Sequence, residues 1–252
     1  MTLPVEHLTR FLATAAKILP ERPGGGHGPK PYITISRQAG AGGFSVAEAL
    51  LEKTKGARPA TIFGGWSLFH ERLAELVAEN PALKVSLRGL AEEEFASGLE
   101  DMVSSWIAGL SPQSAVVGHL FKVVRTLAGE GKVIIVGRAG ACLTRHIPGG
   151  LHLRLVASLP TRVRRIMVRH GLSEKAAARR VADRDRARAA LVKTYFHRDI
   201  EDPLLYDLVW NTETVSADVI AATSLRAVEA ILRHGRGAAA PSVVDRIALP
   251  LR

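Results

Sequence analysis

"YITISRQAGAGGFSVAEAL", residues 32–50, decides how the rest of the chain is read. Tyr32 to Ser36 is β-branched and apolar, the composition of a buried strand. Gly40, Gly42 and Gly43 follow, and then Val46, Ala49, Leu50 and Lys53 recur at helical spacing. Strand, glycine-dense turn and helix together have the shape of a phosphate-binding loop. Glycines let backbone N–H groups turn toward an anion, and the helix adds the positive end of its dipole. The full pattern G-x-x-x-x-G-K-[ST] is not met. Arg37 stands at the first glycine, Gly43 at the lysine and Phe44 at the Ser/Thr, with Ser45 one residue later. Read alone, the stretch is either a phosphate site that finds its charge elsewhere or a glycine turn that packs a strand on a helix.

Charge elsewhere is plentiful. The 252-residue chain has a formal net charge of +10. The segment Arg138–Arg188 holds thirteen Lys/Arg against three Asp/Glu, a net +10 by itself. A focused positive field attracts a polyanion, either nucleic acid or a nucleotide polyphosphate. "VGRAG" sets Arg138 between glycines just past the apolar run "VIIV", aimed at a ligand crevice or simply placed on a loop. "ADRDRARAALVK" places Arg180, Arg184 and Arg188 on one helix face, with Asp183 and Asp185 expected to orient them. Arg162, Arg165 and Arg169 share a face of the preceding helix, as more anion surface or as lid hinges. Arginine's planar fork binds phosphate oxygens in pairs and stabilises charge on a transferring phosphoryl group.

Strand patterns at 32–36, 60–65, 132–136, 151–157 and 205–212 alternate with helical ones, among them "WSLFHERLAELVAEN" and the long run from Ser173. That alternation predicts an α/β fold with a parallel sheet covered on both faces. Ligands of such sheets bind beyond the carboxyl ends of the strands, where the turns after Ser36, Val136 and Ala157 lie. Residues 1–31 read as an amphipathic helix and a Gly/Pro linker, and 236–252 as a tail. The leading helix is expected to dock on the domain or on a protein partner. No apolar run approaches the roughly 20 residues of a membrane span. Cys142 is the one cysteine, so no internal disulfide forms and a reducing cytoplasm is expected. The nine histidines show no H-E-x-x-H spacing, and no G-x-S-x-G is present. Trp66, Trp106 and Trp210 lie in apolar patterns and read as core.

Taken in order, the motifs resemble the cytidylate kinase-like family of P-loop proteins. "ISRQAGAGG" is similar to that family's lysine-free loop, "VIIVGRAG" to its glycine–arginine strand, and "LRLVASLPTRVRRIMVRHGLSEKAAARRV" to its fourth strand and lid entry. "DRDRARAAL" resembles the lid of cytidylate kinases proper, and "DPLLYDLVWNTETVS" the last strand and turn. The resemblance covers about residues 32 to 232. It implies a P-loop NTPase-like three-layer fold over 32–235, with a helical acceptor region at about 60–110 and an arginine-rich lid at about 172–200. It also implies an ATP-dependent phosphotransferase acting on a pyrimidine nucleoside monophosphate.

Carried over by residue, the backbone of Gly40, Ala41, Gly42, Gly43, Phe44 and Ser45 would cradle the ATP phosphates, with Arg37 beside them. Mg²⁺ would bridge the phosphates near Ser45. Arg184 and Arg188 would close over the transferring group, and Asp185 would place the acceptor or the arginines. Arg138 and Arg180 are assigned to the acceptor. Three departures stand out: Gly43 replaces the phosphate lysine, Ala139 the Asp after Gly-Arg, and Phe44 an arginine frequent in the lysine-free relatives. Losing an electrostatic stabiliser of this kind costs about 10²–10³ in rate. The alternatives are therefore a nucleotide-binding sensor without turnover and, less favoured, a nucleic-acid-binding protein using residues 138–188.

Overall fold

Five short strands run parallel in one sheet, in the order β2-β3-β1-β4-β5. They are β1 (Tyr32–Arg37), β2 (Ser67–Phe69), β3 (Val133–Val136), β4 (Gly150–Val156) and β5 (Leu208–Asn211). The structure is a computed structural model that describes residues 29–55, 57–58, 61–69, 121 and 123–234. The expected leading helix, the C-terminal tail, Trp106 and most of the acceptor region lie outside those residues.

The two faces of the sheet differ in chemistry, and the register shows why. Tyr32, Thr34 and Ser36 of β1 stand beside Gly150, His152 and Arg154 of β4, while Ile33 and Ile35 stand beside Leu151 and Leu153. Alternation therefore sends one set to each face. The apolar set packs against helix α1 (Gly43–Thr54) through Val46, Ala47 and Leu50, and against the last helix through Ile220, Ala221 and Val228. Each of the valine, leucine and isoleucine side chains among them, fully buried, stabilises the fold by about 1.5–3 kcal/mol.

The opposite face carries a polar stripe linked by its own hydrogen bonds, with the Arg154 Nε buried without one. Tyr32 donates to the Thr144 carbonyl at 2.6 Å and lies 2.9 Å from that of Ile147. Thr34 Oγ1 lies 2.7 Å from His152 Nδ1. Arg154, 3% exposed, donates to Ser36 at 2.9 Å and pairs with Glu201. Burial pushes the Tyr206 hydroxyl up in pKa, against the opposing hydrogen bond from Ser36 and the charge of Arg154. Helix α2 (Gly140–Thr144) covers this face, with Gly140 set closely against Thr34.

Helices α3 (Leu159–His170), α4 (Glu174–Phe196) and α5 (Ala217–His234) complete the layers. Ser158 caps α3, with Pro160 in its first turn, and Gly171 ends it in the left-handed region at φ 62. Ser173 caps α4 and Ser216 caps α5. The α3–α4 pair has its own apolar cluster of Val163, Ile166, Ala177 and Val181, joined by Ala39 from the glycine loop. No described helix is long and apolar enough to cross a membrane.

Three expectations are corrected. Residues 61–65 form turns rather than a strand, and the edge strand comes next, at Ser67–Phe69. It occupies the start of the expected helix "WSLFHERLAELVAEN", because Leu68 and Phe69 pair with Ile134 and Ile135. The last strand is shorter than expected, because Pro203–Leu205 is a 3₁₀ turn capped by Asp202. Trp66 is buried as expected and donates to the Ile62 carbonyl at 2.8 Å.

Replacing Tyr32 by Phe leaves two carbonyls beneath the sheet without their hydroxyl. The variant is expected to lose about 1–3 kcal/mol. Urea unfolding with an unchanged slope and a lower midpoint would report it.

Candidate functional site

The loop between β1 and α1 is built to bring backbone close to a ligand. Gly40 and Gly42 sit in the left-handed region at φ 79 and 72. A Cβ on Gly40 would meet the Arg162 carbonyl oxygen at 2.5 Å, so the loop lies flush on the first turn of α3. No side chain caps the start of α1. Its first N–H groups face outward with the positive end of the helix dipole behind them.

Arg37 accounts for Gly43. A Cβ at residue 43 would meet Arg37 Cγ at 2.9 Å, so the arginine stem runs where a residue-43 side chain would start. The guanidinium continues over Gly137, whose Cβ would come to 3.1 Å from Arg37 Cζ. The arginine thus crosses from the glycine loop to the carboxyl end of β3. Two side-chain-free residues form its track.

Arg162 ties this loop to the helices beside it. It is 8% exposed and donates to the carbonyls of Ala157 at 3.0 Å and Ala39 at 3.3 Å, and to Asp185 at 2.6 Å. The other oxygen of Asp185 accepts the Ala39 N–H at 2.7 Å. Asp185 also lies 3.6 Å from Arg188, which donates to the Arg37 carbonyl at 3.3 Å. The carboxylate therefore fastens α4 to the glycine loop. Asp183 does not share this task, against expectation: it lies on the exposed side of α4, 3.9 Å from Arg179 and 3.7 Å from Arg186.

These elements enclose a cavity of about 1220 Å³. Arg37, Gly40, Gly42, Gly43, Phe44 and Ser45 line it from the loop, and Arg184 and Arg188 from α4. Ala41 is buried behind the lining. Arg138 and Arg180 do not contribute to this cavity. Arg138 is held at φ 57 in a left-handed turn between Gly137 and Ala139, and the Arg180 Nε is buried without a hydrogen-bond partner.

Two further arginines enter from α3, the helix whose Arg162, Arg165 and Arg169 were expected to add anion surface or to act as lid hinges. Arg165 donates to the Thr212 hydroxyl at 3.0 Å and the Thr212 carbonyl at 2.7 Å, and lies 3.5 Å from the Gly40 carbonyl. The Arg169 guanidinium lies over the Phe44 ring, 5.4 Å from its centroid. Thr212 itself also donates to the Ala41 carbonyl at 3.1 Å, a role no sequence motif announces. Glu213 accepts from Thr161 at 2.7 Å and from the Ser158 N–H at 3.1 Å, which holds its carboxyl below the usual range. His170 lines the cavity, and its pKa is held below the ordinary value by desolvation and then by Arg180, Arg169 and Arg184.

The sequence profile described as the cytidylate kinase-like family matches residues 32–214. The chain is 26% identical over 210 residues to a cytidylate kinase of Methanopyrus kandleri, covering 80% of this chain and 95% of that one. It is also 36% identical over 87 residues to a uronate isomerase of Corynebacterium glutamicum, 34% of this chain but 17% of the isomerase's length. Among solved structures, an uncharacterized protein of Eubacterium ventriosum aligns over 79% of this chain and 99% of its own, with TM-score 0.58 and 20% identity. That likeness is one of fold.

Two outcomes follow from this geometry. Arg162→Met removes the nearer of the two cations beside Asp185 and is expected to cost about 3 kcal/mol, read as a lowered urea midpoint. Inorganic tripolyphosphate placed among the arginines should raise the His170 pKa, visible as an upward shift of its imidazole titration by NMR. Binding should then tighten as the pH falls from about 8 to about 6, and flatten in His170→Gln, because a bound state with a raised pKa takes up a proton.

Proposed function

The chain belongs to the cytidylate kinase-like family, and we infer that it transfers the γ-phosphoryl group of ATP to a small acceptor, a pyrimidine nucleoside monophosphate. The observation that carries this reading is the course of Arg37, whose cation supplies the charge that Gly43 lacks. The backbone from Gly40 to Ser45 holds the donor phosphates. Arg184 and Arg188 face them across the cavity. Asp185, bonded to Arg162 and Ala39, is a positioning residue that keeps these arginines over the loop.

In the reaction an oxygen of the acceptor phosphate bonds to the γ-phosphorus as the bond to the bridging oxygen breaks, giving a nucleoside diphosphate and ADP. Arg37, Arg184 and Arg188 spread the charge on the transferring oxygens, which is most of what such a step requires. The acceptor is assigned to the side of Leu68 and Val136, next to the turn that carries Arg138. Ser45 lines the cavity with one hydroxyl, but Phe44 stands at the metal-ligand position and Asp185 is engaged. The described residues thus do not supply a magnesium ligand set, and no step is assigned to a metal held by the protein. We place the activity in the cytoplasm, where ATP is abundant and the Cys142 thiol stays reduced.

The test is product formation from magnesium–ATP with CMP, dCMP, UMP or AMP. One acceptor is expected to yield its diphosphate, and Arg184→Ala to lose at least about 10²-fold in rate. ATP binding without any diphosphate would replace this reading with that of a sensor.

A further inference from the structure

We propose that this cavity neutralises its polyphosphate with guanidinium groups, so that ATP binds almost as tightly without Mg²⁺ as with it. The proposal rests on the nucleotide reading above and specifies the ionic form of the ligand. Its first support is the donor set. Residue 44, which supplies a metal-binding hydroxyl in the full loop pattern, is a phenyl ring covered by Arg169, and the next residue, Ser45, brings a single hydroxyl to the cavity. Asp185, the carboxylate that touches the loop, spends one oxygen on the Ala39 N–H and the other on Arg162. Glu48 and Glu52 line the cavity farther along α1, and Glu52 is paired with Lys55. Among the described residues, no group of three His, Cys, Asp or Glu side chains could hold a metal.

The second support is the cationic wall. Arg37, Arg165, Arg169, Arg184 and Arg188 all line the same cavity. The hydrogen bonds of Arg165 go to neutral oxygens of Thr212 and Gly40, and Arg169 rests on a neutral ring. Glu213 senses the Arg165 charge, but its carboxylate is used by Thr161 and Ser158 at the cap of α3. These contacts leave positive charge facing the loop. Forked guanidinium groups take phosphate oxygens in pairs and compete with a metal for the same lone pairs. A metal ion arriving on ATP also adds positive charge next to this wall, and that repulsion offsets what it gains from the phosphates.

The experiment is calorimetric titration of the full chain with ATP in EDTA, with ATP in excess Mg²⁺, and with inorganic tripolyphosphate in EDTA. The affinity for ATP is expected to agree within about threefold with and without the metal, and Arg169→Ala is expected to weaken metal-free binding by about tenfold. ATP binding that falls by about a hundredfold in EDTA overturns the proposal and leaves the nucleotide reading intact. Tripolyphosphate binding in EDTA with no ATP binding in either buffer upholds a guanidinium-neutralised site and sinks the nucleotide reading. No binding of either anion in EDTA overturns the proposal, and the titration in Mg²⁺ then decides the nucleotide reading separately.

Discussion

The guanidinium of Arg162 is the point on which the site depends. It is almost fully buried, and a buried cation is tolerated only when it is paired and its donors are used. Here they bind the loop after β4, the glycine loop and α4 at once. Remove it and these three elements lose the one side chain that bonds to all of them. The close seat of Gly40 on the Arg162 backbone follows from the same packing, because a wider gap would pull Ala39 out of reach. Every arginine that lines the cavity from α3 or α4 is therefore placed, at one remove, by an arginine that faces away from it.

That division of labour suits a site rich in one sign of charge. Cations on neighbouring turns repel one another, and α3 and α4 bring several to one cavity. The fold answers with a few carboxylates spent on placement rather than on local neutralisation. Asp185 fixes the helix, Glu213 fixes the start of α3, and the cavity stays positive. The pKa of His170, lowered first by desolvation, is lowered further by the charges of Arg180, Arg169 and Arg184. The polar stripe on the covered face of the sheet follows the opposite logic: Arg154 is compensated by Ser36 and Glu201 and contributes to architecture.

Much of the fold was legible because its signals are local. The apolar strands at 32–36, 132–136 and 151–157 and the long helix that follows Ser173 rest on signals within a few residues, and each falls where the sequence puts it. The edge strand was misread because Leu68 and Phe69 fit a helical face as well as a strand, and only pairing with β3 decides between them. The loop and the arginines Arg37, Arg184 and Arg188 stood out in the sequence as candidates for one anion site, and the structure gathers them round one cavity. Arg162, Thr212 and the Phe44–Arg169 contact were not. Their partners lie far away in sequence, so spacing along one helix could not tell the buried Arg162 from Arg165 and Arg169, which line the cavity.

The track of Arg37 across Gly43 has a consequence for how such a loop can change over generations. The full pattern has glycine at position 37 and lysine at position 43; this chain has the reverse arrangement, the long cation first and the glycine second. A side chain at 43 would meet the Arg37 stem, so one of the two has to shift. A glycine at 37 with Gly43 unchanged leaves neither position with a side chain. The two positions are coupled through the space they share, and a change at either alters what the other can hold.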